Sequence, residues 1–304
     1  MAQTSWITDK QFESLVIDYL KEKTNILNDI RCYHLVKYDD ENKESEESKL
    51  QKKGVDLLYR PLKQEGVYKQ GYCDVKSVCC TSLKTFSFEL RGREDTNQVG
   101  WFINDDLLTD SYLLTYHKLV NGTNNYAIDK SSFNKEMVEK TEAYWIMKDR
   151  LKDEIEKRLP NGRTFETILR DIKKDVKNRD VNATNTYYLC KNGKLEFISS
   201  YKHSKNKKED KEPIFYFVYS GKCKERPINI IIKRDFLSLV ATKYWEISHI
   251  KKIDIEHDDY KEINSILNKY GLSCENGFLN IKERLVWVFL FFAIFLMSIM
   301  TVQK

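Results

Sequence analysis

The sequence predicts an α/β protein of the α+β kind, with a mixed central sheet flanked by helices. A helical repeat opens the chain, short apolar runs broken by glycine continue to about residue 120, and a second series of strand-like runs begins after residue 184. Between the two series the chain reads as helical.

The first helix is expected from Thr8, which with Gln11 fits a capping box. Phe12, Leu15, Val16, Tyr19 and Leu20 follow at i, i+3, i+4, i+7 and i+8 and make one apolar face. Residues 39–53, DDENKESEESKLQKK, form a charge run without periodicity and read as a loop. Residues 54–60, GVDLLYR, read as a strand stopped by Pro61, and Gly66 and Gly71 punctuate the turn into a second strand over 72–78. Further strands are expected over 85–90 and 111–120, the latter ended by Asn121-Gly122. Residues 131–178 read as helix, divided at Pro160-Asn161-Gly162.

Beyond Thr184, the segment TYYLCKNGKLEFISSY alternates apolar residues around Asn192-Gly193, a hairpin signal. PIFYFVYSG and PINIIIKRDFLSLV follow as further strand-like runs, and 258–270 reads as a last amphipathic helix ended by Gly271. The loop 202–211, KHSKNKKEDK, is basic and reads as a solvated hairpin tip, with a nucleic-acid phosphate contact as the alternative. At 304 residues the chain exceeds one small core. The expected organisation is a main domain over 1–180, an accessory α+β region over 181–280 and a hydrophobic helix over 285–302.

That last segment, LVWVFLFFAIFLMSIMTV, is apolar all round, and as a helix would rise about 27 Å, close to a bilayer's hydrocarbon thickness. Lys282 and Arg284 precede it, as the positive-inside tendency favours. A C-terminal membrane anchor is therefore expected, with a buried core helix as the alternative. The start MAQTSWITDK has no basic region followed by an apolar run, so a cytoplasmic origin is expected for the folded part.

Composition narrows function only slightly. A net charge of +5 sits on abundant charges of both signs, so it does not choose a partner. Seven cysteines, none in a C-x-x-C arrangement, suit a reducing compartment, and the five histidines show no zinc-site spacing. A ribonucleoprotein-type aromatic motif, which a metal-independent RNA-binding module would carry, does not occur in the sequence.

The informative unit is KGVDLLYR followed by GYCDVKSV. Period-two geometry puts Asp74 and Lys76 on one face of a strand, with Cys73 and Val75 on the other. Asp56, on the preceding strand, can meet them at the shared end of a hairpin. Two converging carboxylates repel unless a cation lies between them, and Mg²⁺ takes one or two carboxylates plus waters and phosphate oxygens. A lysine beside such a site can orient the attacking water and offer charge to a phosphate. Asp171-Ile-Lys173 and Asp175-Val-Lys177 match the same short pattern, but lie in a charge-dense helical stretch without a partner strand. An Asp/Lys cross-strand pair on an ordinary hairpin is the competing reading.

The order of a helix with Phe12-Glu13, then Gly54-Val55-Asp56, then Asp74-Val75-Lys76, resembles the PD-(D/E)XK nuclease superfamily, with Val55 in place of the named proline. Gly100-Trp101-Phe102 and the run from Thr109 through Asp110, Ser111, Tyr112 and Leu113 to Leu114 are similar to segments that follow the catalytic strand in some members. The resemblance covers roughly residues 8–150 and implies a restriction-endonuclease-like sheet and a DNA-cleaving activity in restriction, phage defence or repair. It implies that Asp56, Asp74 and the Val75 carbonyl hold Mg²⁺ or Mn²⁺, that Lys76 addresses the water, and that Glu13 joins the catalytic set. Arg91, Arg93 and Gln98 are candidates for substrate contacts, DNA is the implied partner, and a homodimer is compatible. The alternative function is a non-catalytic, membrane-anchored module that binds nucleic acid or protein and keeps the nuclease fold.

Overall fold

The computed structural model describes residues 2–37, 44–61, 70–79, 83–179, 185–191, 194–198 and 213–249. These belong to one compact unit, Met1–His249. The expected hydrophobic helix over 285–302, the helix over 258–270 and the loop over 202–211 lie outside the described residues. Among the described residues no helix is long and apolar enough to cross a membrane.

Helix α1 spans Ala2–Lys23, beginning upstream of the expected capping box. Phe12, Val16, Tyr19 and Leu20 are buried as the repeat requires, but Leu15 is 44% exposed and Ile17 is buried instead. A short α2 (Ile26–Asp29) and strand β1 (Cys32–Leu35) follow. The charge run ends in a helix, α3 (Glu46–Lys52), rather than in loop. Ser45 caps it by accepting the Ser48 N–H, and Glu46 and Glu47 in the first turn suit the helix dipole.

Strand β2 (Leu57–Tyr59) pairs antiparallel with β3 (Gly71–Val78). The next strand, β4 (Thr85–Arg91), leaves that sheet, and β3 pairs in parallel with β5 (Ser111–Leu119) instead. Helix α4 (Tyr126–Ser131) and a 3-10 turn lead into β6 (Val138–Met147), antiparallel to β5. The expected helix over this stretch is therefore a strand up to Met147. Val138, Thr141, Ala143, Tyr144 and Ile146 are buried across both faces of β6, and central-sheet packing outweighs the helical look of its Glu and Lys residues. Helices α5 (Lys148–Glu156) and α6 (Phe165–Arg179) flank the 3-10 turn Pro160–Gly162, at the break the sequence marks.

The hairpin of β7 (Asn185–Lys191) and β8 (Lys194–Ile198) forms in the expected register, Lys191 opposite Lys194. β9 (Phe215–Ser220) and β10 (Ile228–Lys233) follow, then helix α7 (Arg234–Val240) and strand β11 (Lys243–Ser248). Two sheets result, ordered β1-β2-β3-β5-β6-β11 and β4-β10-β9-β7-β8. Two strand pairings cross the 180/181 boundary. β10 pairs with β4 from the earlier part, and β11 closes the first sheet against β6.

The first sheet buries one face under α1 and α2, through Val16, Tyr19, Ile26, Cys73, Val75 and Leu113. Its other face joins the second sheet and α5–α7 in a core containing Phe88, Tyr112, Leu114, Ile168, Phe217 and Ile230. β5 lies between both layers and is buried almost throughout. A buried polar chain stitches the α1 side. Ser77 Oγ meets Thr115 Oγ1 (2.6 Å), whose hydroxyl meets His117 Nε2 (2.9 Å), and His117 Nδ1 meets Thr141 Oγ1 (3.0 Å). Thr141 continues to the Tyr19 hydroxyl (2.7 Å) and on to His249 Nε2 (2.8 Å). Burial depresses the His117 pKa to about 3, so its imidazole is neutral at physiological pH.

Candidate functional site

The β2–β3 pairing stops at Leu57, the first residue of β2, while β3 runs on to Val78, which leaves an edge of β3 without a strand partner on that side. Asp56 fills the first vacant rung. Its N–H donates to the Cys73 carbonyl at 2.9 Å, and its Oδ2 accepts the Val75 N–H at 2.8 Å. The N–H and C=O of one strand residue point to the same edge, so the Val75 carbonyl faces this opening too. Gln51 on α3 steadies the arrangement, donating at 2.9 Å to Asp56 Oδ1 and at 3.2 Å to the Val36 carbonyl.

Asp74 and Lys76 emerge from the opposite face of β3 to Cys73 and Val75, as the alternation requires. Lys76 Nζ donates to Asp74 Oδ1 at 2.7 Å. Asp56 and Asp74 are both buried, at 4% and 5% exposure, and act on each other electrostatically. Burial, and then the neighbouring Asp56, drive the Asp74 carboxyl up to about 8 against the opposing pull of Lys76. Burial disfavours the Lys76 ammonium, but the charges of Asp74, Asp56 and Glu13 outweigh it, so Lys76 stays protonated.

Glu13, half-buried on α1, lines two recesses at this edge. One, of about 310 Å³, also touches Asp56 and Gln51; the other, of about 370 Å³, touches Lys76, Ser77 and Trp101. Lys76 Nζ lies 5.5 Å from the centre of the Trp101 ring. Trp101 is held there because Gly100 packs on the backbone of β4, where a Cβ would come within 2.3 Å of the Glu89 carbonyl oxygen. Asp110 ties the start of β5 to the hairpin, accepting the Tyr59 hydroxyl at 2.8 Å and the Tyr72 N–H at 3.0 Å. The Gly-Trp-Phe and Thr-Asp segments thus brace the site.

The three expected substrate contacts do not line either recess. Arg91 is buried, with an Nη on the Arg226 carbonyl at 2.8 Å. Arg93 is exposed and forked onto Asp95, and Gln98 is exposed at a turn, its N–H on the Arg93 carbonyl. A bulge in the β4–β10 pairing between Arg91 and Glu89 breaks the alternation on which a sequence reading depends.

Three contributors escape the sequence reading. Gln51 lies in the charge run read as loop, although Ser45 followed by two glutamates is a helix-start signal. Glu89 on β4 has its carboxyl raised by burial, against opposing pulls from the Trp101 N–H and Lys76. Tyr112 stands opposite Asp74 on β5, and its buried hydroxyl has no hydrogen-bond partner among the described residues. Tyr112 falls in the Thr109–Leu114 run that carries the resemblance, but nothing in the sequence marks its side chain, or that of Glu89, as part of the site.

Among the described residues no group of three or more His, Cys, Asp and Glu side chains is arranged to hold a metal ion. Two carboxylates and a backbone carbonyl at one edge are nevertheless a donor set of the kind Mg²⁺ accepts, with waters completing the shell. Burial first, and then the Asp56 charge, make ionisation of Asp74 costly, a cost that a bound cation would relieve. No protein-family model, curated protein or solved structure matches the chain.

Proposed function

We propose that the chain is a metal-dependent endonuclease of the PD-(D/E)XK type that hydrolyses phosphodiester bonds in DNA. The observation that carries the reading is the meeting of Asp56, Asp74 and Lys76 at the open edge of β3. Asp56, Asp74 and the Val75 carbonyl would hold Mg²⁺ or Mn²⁺. When bound, the ion would supply Lewis-acid polarisation of the phosphoryl group and neutralise developing charge. Asp56 is held ready by Gln51 and the Val75 N–H, so little reorganisation is needed. Lys76 then exchanges Asp74 for the attacking water and the phosphate. Glu13, facing the same recess, orients the water from the α1 side.

A second reading rests on the same contacts. Asp56 already accepts two hydrogen bonds and Lys76 already answers Asp74, so the cluster is also self-sufficient as the core of a binding module. In either reading the 285–302 segment anchors the chain in a membrane, with Met1–His249 in the cytoplasm. Supercoiled plasmid separates the two readings. The nuclease yields nicked and linear forms with Mg²⁺ or Mn²⁺ and none with a chelator, and the binding module yields neither.

A further inference from the structure

A cleft of about 730 Å³ shares no lining residue with the two recesses around Asp56 and Lys76. That volume lies within the range of small-molecule sites, about 300–1,000 Å³. The end of β4, the 97–105 segment and helices α5 and α6 form its walls. Leu90, Ile103, Phe165 and Leu169 supply an apolar side, joined by Val99, which is 48% exposed.

The other side carries four cations, Arg91, Lys152, Arg170 and Lys173, against three carboxylates, Asp105, Glu156 and Glu166. Arg91 and Lys173 both line the cleft. Burial first, and then the charge of Arg91, press the Lys173 ammonium below its ordinary pKa. Lys173 donates to the neutral Asn97 side chain and has no carboxylate partner among the described residues. Arg91 gives an Nη to the Arg226 carbonyl, and its nearest carboxylate oxygen, on Glu94, is 3.8 Å away. Its buried Nε has no partner among the described residues. Of the three carboxylates, Asp105 is engaged with Lys152 at 3.1 Å and Glu156 with the Phe165 N–H at 3.1 Å, and Glu166 is matched in charge by Arg170, which lines the cleft too. Lys173, beside an apolar wall, therefore has no carboxylate at ion-pair distance among the described residues, and Arg91 has one only at 3.8 Å. A phosphate, with several acceptor oxygens and up to two charges, satisfies a guanidinium and an ammonium together.

We propose that this cleft binds a small organic phosphate, its phosphate between Arg91 and Lys173 and its apolar body against Leu90, Ile103, Phe165 and Leu169. The site is separate from the Asp56–Asp74 centre and does not rest on the nuclease reading. It explains why the fold tolerates a half-buried lysine facing a buried arginine.

Calorimetric titration of the full chain with phenyl phosphate, inorganic phosphate and phenol tests it. Saturable binding is expected for phenyl phosphate, at least tenfold weaker binding for inorganic phosphate, and none for phenol. Lys173→Met and Lys173→Gln should each weaken phenyl phosphate at least tenfold. Each should also melt no lower than the parent without ligand, because the repulsion from Arg91 is gone. Lys157→Met, at an exposed lysine outside the cleft, should bind as the parent does. No saturable binding of phenyl phosphate, or equal binding by the parent and both Lys173 variants, overturns the proposal.

Discussion

The Val75 N–H donates to Asp56 Oδ2 at 2.8 Å, so a side chain takes the place of the next backbone rung where the β2–β3 pairing stops and β3 continues. That contact makes Asp56 part of the sheet as well as part of the candidate centre. Asp56→Ala leaves the Val75 N–H without its acceptor, at a cost of about 1–3 kcal/mol for an unsatisfied buried group, and removes one of the acceptors of the Gln51 amide. Asp56→Asn keeps an oxygen for Val75 and should cost less than half as much, while still losing cleavage. Urea melts of the two variants, read beside their nicking rates, separate the two roles.

Gln51 acts on Asp56 rather than on substrate. Gln51→Leu should reduce cleavage several-fold and raise the Mg²⁺ concentration needed for half-maximal rate, because Asp56 loses the donor that orients it. A drop in rate with an unchanged Mg²⁺ requirement would assign Gln51 to the stability of α3 alone.

Stability should depend on pH in two opposed ways. The Asp74 carboxyl is raised to about 8, so as pH rises from about 4 the unfolded chain loses a proton that the folded chain keeps. Stability therefore falls on this account toward pH 8. His117 is depressed to about 3, so below about pH 6.5 the unfolded chain gains a proton that the folded chain refuses, and stability falls toward acid. The two slopes offset each other between about pH 4 and 6.5 and leave a plateau there. Urea melts from pH 3.5 to 8.5 should show both limbs. Asp74→Asn should flatten the alkaline limb and turn the plateau into a continuous fall below about pH 6.5, and in the parent Mg²⁺ should recover most of the alkaline limb.

Much of the site was legible because it rests on period-two alternation in short strands. Asp74 and Lys76 share a face and Cys73 and Val75 pack oppositely, as a strand with apolar flanks requires. The Asn192-Gly193 hairpin and the Pro160 break were readable for the same local reason. What was not legible depends on distant partners. β4 follows β3 closely in sequence yet pairs with β10, and its bulge turns Arg91 away from the alternation. β6 carries Glu and Lys at spacings that suit a helix, and only its position between β5 and β11 makes it a strand. Gln51 was hidden by charge, because a short solvated helix and a charged loop have the same composition.

The apolar segment over 285–302 should behave as an anchor. Full-length protein should stay with membranes through carbonate extraction, and a chain ending near Lys282 should be soluble and still cleave. Release of the full-length chain by carbonate, or loss of folding on truncation, would favour a buried core helix.

The central claim is that Asp56 and Asp74 hold the ion that cleavage requires. Single-turnover cleavage of plasmid DNA across a Mg²⁺ series, by the parent and by Asp74→Asn, tests it most directly. The parent should cleave with a saturable Mg²⁺ dependence, and Asp74→Asn should fall by about 10²–10³-fold or more at every concentration while melting as a folded protein. Cleavage by Asp74→Asn at the parent's rate, or by the parent in the presence of a chelator, would contradict the assignment.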